Sequence, residues 1–500
     1  MVRVPMGQPD GPDSRHVRQS RLRRAARMRR RFYVLTGLST VLPGAGLLLT
    51  RLRALGLLLA LPTVAGAAAL LGLWWSGDLV KVGLGIAVRP GRLTAVIVVV
   101  VALALLWSTA ILVTAGQTRP RDGRGRVLRP VFVLGCCAAV VSPIAVATRD
   151  LAIQHSVVTT VFPSVVQVGS TPIATGGDKD PWEGTPRVNV LLLGSDAGSD
   201  RIGVRTDSMM VASINTKTGD TVLIGIPRNL ENAPIPKNNP LSMLYPNGYN
   251  CGDQCLLNGI WTLATDHKDL FPKDPDPGLT STRQVLEAVL GQKIQRSVVI
   301  DLSGFQGLVN AMGGVNINVQ ERVCVGCKSD GYGGIIWSSS KHQWIEKGRH
   351  HLTGYQALWY ARSRATSDDF SRMRRQRCVA GALLDQVDAT KMLGSYPALA
   401  DTLKKNIFTD ITQDELPAWV ELSARIQSGT IRSLPITDKI VAVGNPDYAK
   451  IHTLVKAALS GHLPAPATTT ATTRPTTRTP GGSSATPTPA DTLSSLTATC

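Results

Sequence analysis

Four apolar stretches crowd the first third of this chain, at 33–50, 54–75, 93–115 and 131–148, and they restrict its architecture more than anything that follows. Runs near twenty residues suit a hydrocarbon core about 30 Å thick. The first run is short and is broken by Pro43, Gly44 and Gly46. It reads as a re-entrant or interfacial hairpin, which leaves three full spans. Arginine sets their direction. Ten arginines lie within the first 31 residues, ending in Arg27, Arg29, Arg30 and Arg31, against only Asp10 and Asp13. A second basic segment, 116–126, carries Arg119, Arg121, Arg124 and Arg126. Both belong on the cytoplasmic face. The expected order is a basic tail over 1–32, a membrane region over 33–150, and everything from 151 outside the cytoplasm. No small-residue cleavage pattern closes the apolar region, so a removable signal peptide is not expected.

Beyond the membrane region the composition changes. Residues 151–184 read as a linker, and 185–462 have the mixed charge and the strand and helix patterns of a folded domain. Residues 463–500 are rich in Thr and Pro, too poor in apolar surface to fold alone, and read as a disordered tail. The net charge of +19 over 500 residues admits nucleic acid, an anionic membrane face or a phosphorylated substrate as partner. Because the basic tail abuts a span, it reads as an orientation signal, and nucleic acid is not an expected partner. The pairs Cys251/Cys255 and Cys324/Cys327 lie in polar stretches of the outer domain. Disulfides suit that compartment, with pairing left open; zinc suits it poorly, since about seventy residues separate the pairs. Cys136 and Cys137 read as packing residues, Cys378 as a buried thiol, and Cys500 has no assigned role.

The chemistry gathers at two places. The apolar run from Arg187 to Gly194 reads as a buried strand that delivers Asp196 just beyond its end. A second strand begins at Ser208, preceded by Arg205-Thr206-Asp207. The turn Asn215-Thr216-Lys217-Thr218-Gly219-Asp220 leads into a third strand, 221–226, that ends at Pro227-Arg228-Asn229. In such a hairpin the start of the second strand and the end of the third share one sheet edge. Arg205, Asp207 and Arg228 therefore converge there, and Asp196 joins them if the first strand pairs antiparallel. Guanidinium forks grip phosphate and carboxylates hold a divalent cation, although a surface ion-pair network uses the same residues.

The second place is 354–384. Arg362 and Arg364 are two apart and point the same way if extended. A helix capped by Asp369 or Ser371 follows, with Arg372, Arg375 and Gln376 on one face. So many arginines with few acids repel one another unless an anion sits among them, and a pyrophosphate is the economical choice. His350 and His351 read as a surface loop, and Gly313-Gly314 as a helix end before a strand. A nucleophile elbow, a P-loop and a dinucleotide fingerprint are all missing.

These motifs, in this order, resemble the LytR-CpsA-Psr family: Leu-Leu-Gly-Ser-Asp at 192–196, Arg-Thr-Asp at 205–207, Ile-Pro-Arg at 226–228, Asn258, Gly-Gly-Val at 313–315, Ala-Leu-Trp-Tyr-Ala-Arg-Ser-Arg at 357–364, Asp-Phe-Ser-Arg at 369–372 and Arg-Gln at 375–376. The resemblance implies an α/β domain, a mixed central sheet flanked by helices, on a multi-span membrane anchor. It implies an apolar groove for a polyprenyl chain and transfer of a glycopolymer from its polyprenyl pyrophosphate carrier to peptidoglycan, with Mg²⁺ (or Mn²⁺) as cofactor. Asp196 and Asp207 would hold the metal. Arg205, Arg228, Arg362, Arg364 and Arg372 would clamp the pyrophosphate, with Gln376 adding a hydrogen bond. Asp369 would orient the arginines, and Asp207 or Asp369 would accept the acceptor's proton. Asn229 stands where the family commonly has Asp, and three spans exceed its usual single anchor. Two other readings stay open: a polyprenyl pyrophosphate phosphatase, and a non-catalytic wall-binding or regulatory protein.

Overall fold

The computed structural model describes residues 12–120, 127–165, 173, 180–195, 206–252, 254–330, 334–337, 343–386, 400, 403–438, 440–461, 494–495 and 500. The chain divides into two compact units, Met1–Ser156 and Val157–Cys500.

The first unit is helical: α1 (Pro12–Val41), α2 (Ala45–Leu48), α3 (Arg53–Ser76), α4 (Leu79–Ala87), α5 (Pro90–Thr118) and α6 (Leu128–Val161). Among the described residues α3, α5 and α6 are long and apolar enough to cross a membrane. Their outward faces carry Leu57, Leu61, Leu71, Trp75, Val98, Leu105 and Leu134, a surface suited to lipid and costly in water. Residues 33–41 are the end of α1. The chain reverses after Val41 and returns as α2. Polar groups in the reversal are paired: Ser39 Oγ lies 2.9 Å from Thr114 Oγ1 and accepts from the Gly46 N–H, and Trp107 Nε1 donates to the Ser39 carbonyl. The linker expected from 151 is helical as far as Val161, where α6 ends.

In the second unit the alternation of apolar residues produces strands where the sequence places them: β1 (Arg187–Ser195), β2 (Thr206–Asn215) and β3 (Thr221–Ile226). Further along come α7 (Ile260–Asp266), α8 (Pro277–Leu290), β4 (Arg296–Asp301), α9 (Leu302–Ala311), β5 (Val315–Val319), β6 (Val323–Val325), β7 (Cys327–Ser329), β8 (Ile335–Trp337), β9 (Gln343–Ile345), β10 (Gly348–Leu352), α10 (Gly354–Arg362), α11 (Asp369–Gln386), β11 (Ile407–Thr409), α12 (Leu416–Ser428), β12 (Ile431–Pro435), α13 (Tyr448–Ser460) and β13 (Ser494–Ser495). Seven strands form one mixed sheet in the order β11-β4-β1-β2-β3-β12-β13. β1–β2 and β2–β3 pair antiparallel, and β1–β4 and β3–β12 parallel.

Period-two alternation splits the sheet between two cores. Val211, Val222, Ile224 and Ile226 pack with Val285 and Leu286 of α8 and Ile451 and Val455 of α13. Met210, Ala212 and Leu223 meet Ala380 and Leu384 of α11 on the other face. Gly225 is required where α11 crosses β3, because a Cβ there would lie 2.7 Å from an Arg377 nitrogen. Two ion pairs are nearly sealed from water: Arg283 with Asp410 at 2.6 Å, and Arg296 with Glu415. Asp410 also accepts from the Ser297 N–H.

Several local expectations change. Cys251–Cys255 and Cys324–Cys327 are disulfides, and Cys378 is no free thiol but is bonded to Cys500. The far end of the Thr/Pro-rich tail is therefore attached: Ser494 and Ser495 pair with β12, and Gln320 donates to the Cys500 carbonyl. His350 and His351 lie in strand β10, where His351 bridges Asn316 and the Gly313 carbonyl. The cap of α11 is Asp368, whose Oδ1 accepts from the Ser371 N–H at 2.7 Å. Burial pushes that carboxyl up, but the two hydrogen bonds from Ser371 and nearby Arg374 and Arg375 outweigh it and leave it below the usual range.

Glu415→Ala removes the carboxylate from a fully buried guanidinium and should lower unfolding stability by about 3–5 kcal/mol, read as a lower urea midpoint for the full chain in detergent. Cys500→Ser opens the largest covalent loop in the domain and should cost about 2–4 kcal/mol by the same measurement. Reductant should abolish the difference between that variant and the parent.

Candidate functional site

The edge predicted from the hairpin exists. β2 opens with Thr206-Asp207, β3 runs out at Pro227-Arg228, and Arg228 reaches Asp207 Oδ1 at 3.3 Å. The loop after β3 is held in place by the chain near 258: the Asn258 N–H donates to the Arg228 carbonyl and the Leu257 N–H to the Leu230 carbonyl. Asp196 and Arg205 lie outside the described residues.

The second constellation meets the first through one carboxylate. Asp369, the first residue of α11, has Oδ1 at 3.7 Å from Arg228 Nε and 3.5 Å from Arg364, and its Oδ2 accepts from Arg372 at 3.1 Å. Three guanidiniums from three chain segments thus share one negative charge. Arg372 is almost wholly buried, and burial pulls its pKa down; Asp369 counters this, while Arg228 and Arg364 press it down further. Such a cluster is short of negative charge, and an anion placed among the arginines would relieve it. The Nε atoms of Arg228 and Arg372 are buried and make no hydrogen bond. Buried donors without acceptors are costly; Asp369 Oδ1 stands 3.7 Å from Arg228 Nε and is likewise without a hydrogen bond.

A cavity of about 440 Å³ opens beside these charges. Asp207, Ser208, Arg362, Arg364, Arg372 and Gln376 line its polar end. Its walls are apolar, with Leu192 and Met210 from the sheet, Phe305 and Leu308 from α9, and Val379 and Leu383 from α11. Ser208 Oγ donates to Gln376 Oε1 at 3.2 Å, which leaves the Gln376 amide nitrogen as a donor. Apolar walls with charged groups at the same cavity can take a ligand that is apolar in one part and anionic in another.

Helix phase sorts the remaining arginines differently from the one-face expectation. Arg375 does not reach the cavity. It donates to the Tyr360 and Ser363 carbonyls and to Ser367 Oγ, and pairs with Glu321 at 3.1 Å. It pins the segment between α10 and α11, and so positions Arg362 and Arg364. Arg374 also pairs with Glu321. Arg377 turns to the sheet, where it donates to Ser433 Oγ, and burial followed by nearby Arg374 pushes its pKa down to about 10. Arg362 is the last residue of a helix rather than half of an extended pair, and it still lines the cavity because Ser363 leaves the helix in extended geometry. Sequence reasoning missed Glu321. An acid one turn from a strand end carries no local signal of partners more than fifty positions away.

Among the described residues no group of three or more His, Cys, Asp or Glu side chains could hold a metal alone. The donor set still fits a hard cation shared with a phosphorylated ligand. Magnesium takes one or two carboxylates and completes its shell with phosphate oxygens and water. Asp207 lines the cavity, gives Oδ1 to Arg228, and keeps Oδ2 as a donor.

Comparison with known proteins places this geometry in context. The sequence pattern of the LytR_cpsA_psr family matches residues 167–460. A relative from Bacillus mycoides (strain KBAB4), named polyisoprenyl-teichoic acid–peptidoglycan teichoic acid transferase TagU, is 26% identical over 231 residues, covering 46% of this chain and 62% of its own. TagV of Bacillus subtilis (strain 168), with the corresponding name, is 25% identical over 268 residues, covering 52% and 60%. The chain thus spans about three-fifths of the length of the curated relatives it matches. Among solved structures, protein gbs0355 of Streptococcus agalactiae aligns with a TM-score of 0.43 at 22% identity, over 58% of this chain and 91% of that one. The structure of B. subtilis TagV aligns with 0.39 at 22%, over 55% and 96%.

Arg375→Met should destabilise the domain by about 2–4 kcal/mol, since it strips several buried hydrogen bonds at once. Arg364→Ala, at the half-exposed rim, should stay within about 0.5 kcal/mol of the parent. Parallel urea titrations separate the scaffold arginine from the cavity arginine.

Proposed function

This chain belongs to the LytR_cpsA_psr family, and from that premise we propose that it transfers a phosphoglycopolymer from a polyprenyl pyrophosphate carrier to peptidoglycan. The observation that carries the reading is the apolar cavity lined by Asp207, Arg362, Arg364 and Arg372, with Arg228 pairing to Asp207 and to Asp369 beside it. A polyprenyl tail matches the walls and a diphosphate matches the rim. The curated relatives' names describe this class of reaction.

In the proposed reaction an acceptor hydroxyl oxygen attacks the phosphorus nearest the polymer's sugar. The bond from that phosphorus to the bridging oxygen breaks, and polyprenyl monophosphate leaves with the bonding pair. Phosphoryl transfer of this kind depends mainly on positioning and charge stabilisation. Arg228, Arg364 and Arg372 would bind the diphosphate oxygens, Gln376 would add a hydrogen bond, and Arg362 and Arg205 would complete the clamp. Asp369 gives both oxygens to guanidiniums and serves to hold them in register. Asp207, with Asp196, would hold Mg²⁺, which when bound would supply positive charge against the non-bridging oxygens. With Asp207 so engaged, the hydroxyl proton would depart late, to water or a phosphate oxygen.

The domain would work outside the cytoplasm. Three apolar helices reverse the side of the membrane, and the arginine-rich segments before α3 and between α5 and α6 hold the cytoplasmic face. Peptidoglycan is the accessible acceptor there.

Arg364→Ala and Asp207→Asn should each lower polymer attachment on the order of a hundredfold, measured with purified full chain, lipid pyrophosphate-linked polymer and peptidoglycan. Chelation should abolish attachment and Mg²⁺ should restore it. Phosphate release that ignores the acceptor would instead mean hydrolysis, and unchanged attachment in both variants would remove the rim from the reaction.

A further inference from the structure

Two short antiparallel ladders between β5 and β10 are not used by the transfer chemistry; the first of them contributes Val323, Val325 and Ile345 to the core that contains β5 and β10. β6 pairs with β9 and β7 with β8, which sets Cys324 opposite Trp344 and Cys327 opposite Trp337. Directly opposed residues project from the same face, with Cβ atoms about 5 Å apart. The Cys324–Cys327 disulfide therefore joins the two positions that face the indoles across the ladders. Gly326, at φ 75°, makes the turn between the cysteines that a side chain would disfavour. The indoles stand 6.5 Å apart and nearly perpendicular, and Trp337 is 46% exposed. The Arg322 guanidinium lies 3.9 Å from the Trp344 ring centre and pairs with Glu346 at 3.6 Å, both side chains being more than half exposed.

A half-exposed Trp337 and a partly buried Trp344 on a cross-linked bracket, flanked by a cation and an anion, match one chemistry well. A pyranose ring offers a face of C–H groups to an indole, while its hydroxyls accept from a guanidinium and donate to a carboxylate. A bilayer suits the indoles but not the exposed Glu346 carboxylate, which anionic headgroups repel. The bracket is also tied to the cationic rim. Glu321, just before β6, accepts from Arg374 and Arg375 of α11 at 2.9 and 3.1 Å, and Gln376 of the cavity is the next residue along that helix. Resting on the transfer reading, we infer that Trp337, Trp344, Arg322 and Glu346 form a docking platform for the sugar rings of the acceptor glycan.

The test uses the full chain in detergent and insoluble peptidoglycan stripped of attached polymer, with no donor present. Replacing both indoles (Trp337→Ala with Trp344→Ala) should weaken co-sedimentation roughly tenfold, the scale of a lost aromatic contact. The Trp337→Phe, Trp344→Phe pair should recover most of it. Parent protein that fails to sediment, alanine variants that sediment like the parent, or indoles quenched by brominated lipid in nanodiscs would each overturn the platform. Because no donor is present, loss of the platform leaves the transfer reading standing, and failed transfer would leave this retention measurable.

Discussion

One carboxylate organises the outer domain. Asp369 draws Arg228 from the end of β3, Arg364 from the α10–α11 connection and Arg372 from α11 to a single point. Without it, three guanidiniums would repel one another at the mouth of an apolar cavity, where water screens them poorly. With it, they are held close but remain short of negative charge. That imbalance leaves an excess of positive charge already fixed in position beside the cavity.

The rim depends on supports that do not touch the cavity. Arg375 turns away from it and ties α11 to the carbonyls of Tyr360 and Ser363, so the position of Arg364 follows from hydrogen bonds made behind it. Glu321 is shared by Arg374 and Arg375 and offsets one of their two positive charges. The Cys378–Cys500 bond attaches the C-terminus to the same helix, less than two turns beyond Arg372. The helix that carries the rim is thereby fixed by a cap, a shared ion pair and a covalent bond.

The apolar cavity and the cationic rim follow from one sheet. Alternate residues of β1 and β2 enter opposite cores, so Val211 helps build the domain interior while Leu192 and Met210 line the cavity. The strand ends then place polar groups where that apolar wall stops. A long apolar chain with a charged head needs this succession, and the sheet provides it because side-chain direction alternates while the strand ends share an edge.

Patterns of short range were legible in the sequence. The three long helices, the β1–β2–β3 hairpins and the meeting of Asp207 with Arg228 follow from hydropathy, period and turn chemistry, all local properties. The resemblance in motif order pointed to the family and to the α/β fold. Neither could assign the partners of the arginines on α11. The arginines at 372, 375 and 377 look alike in sequence, yet the first lines the cavity, the second braces a loop and the third lies against β3, because helix phase sends neighbours in different directions and what waits there is brought by distant chain. The same reason hid the pairing of Cys378 with Cys500 and of Arg296 with Glu415, whose partners lie more than a hundred positions apart. Local sequence set which elements form and what charge they carry; only the packing of those elements decided which charges meet.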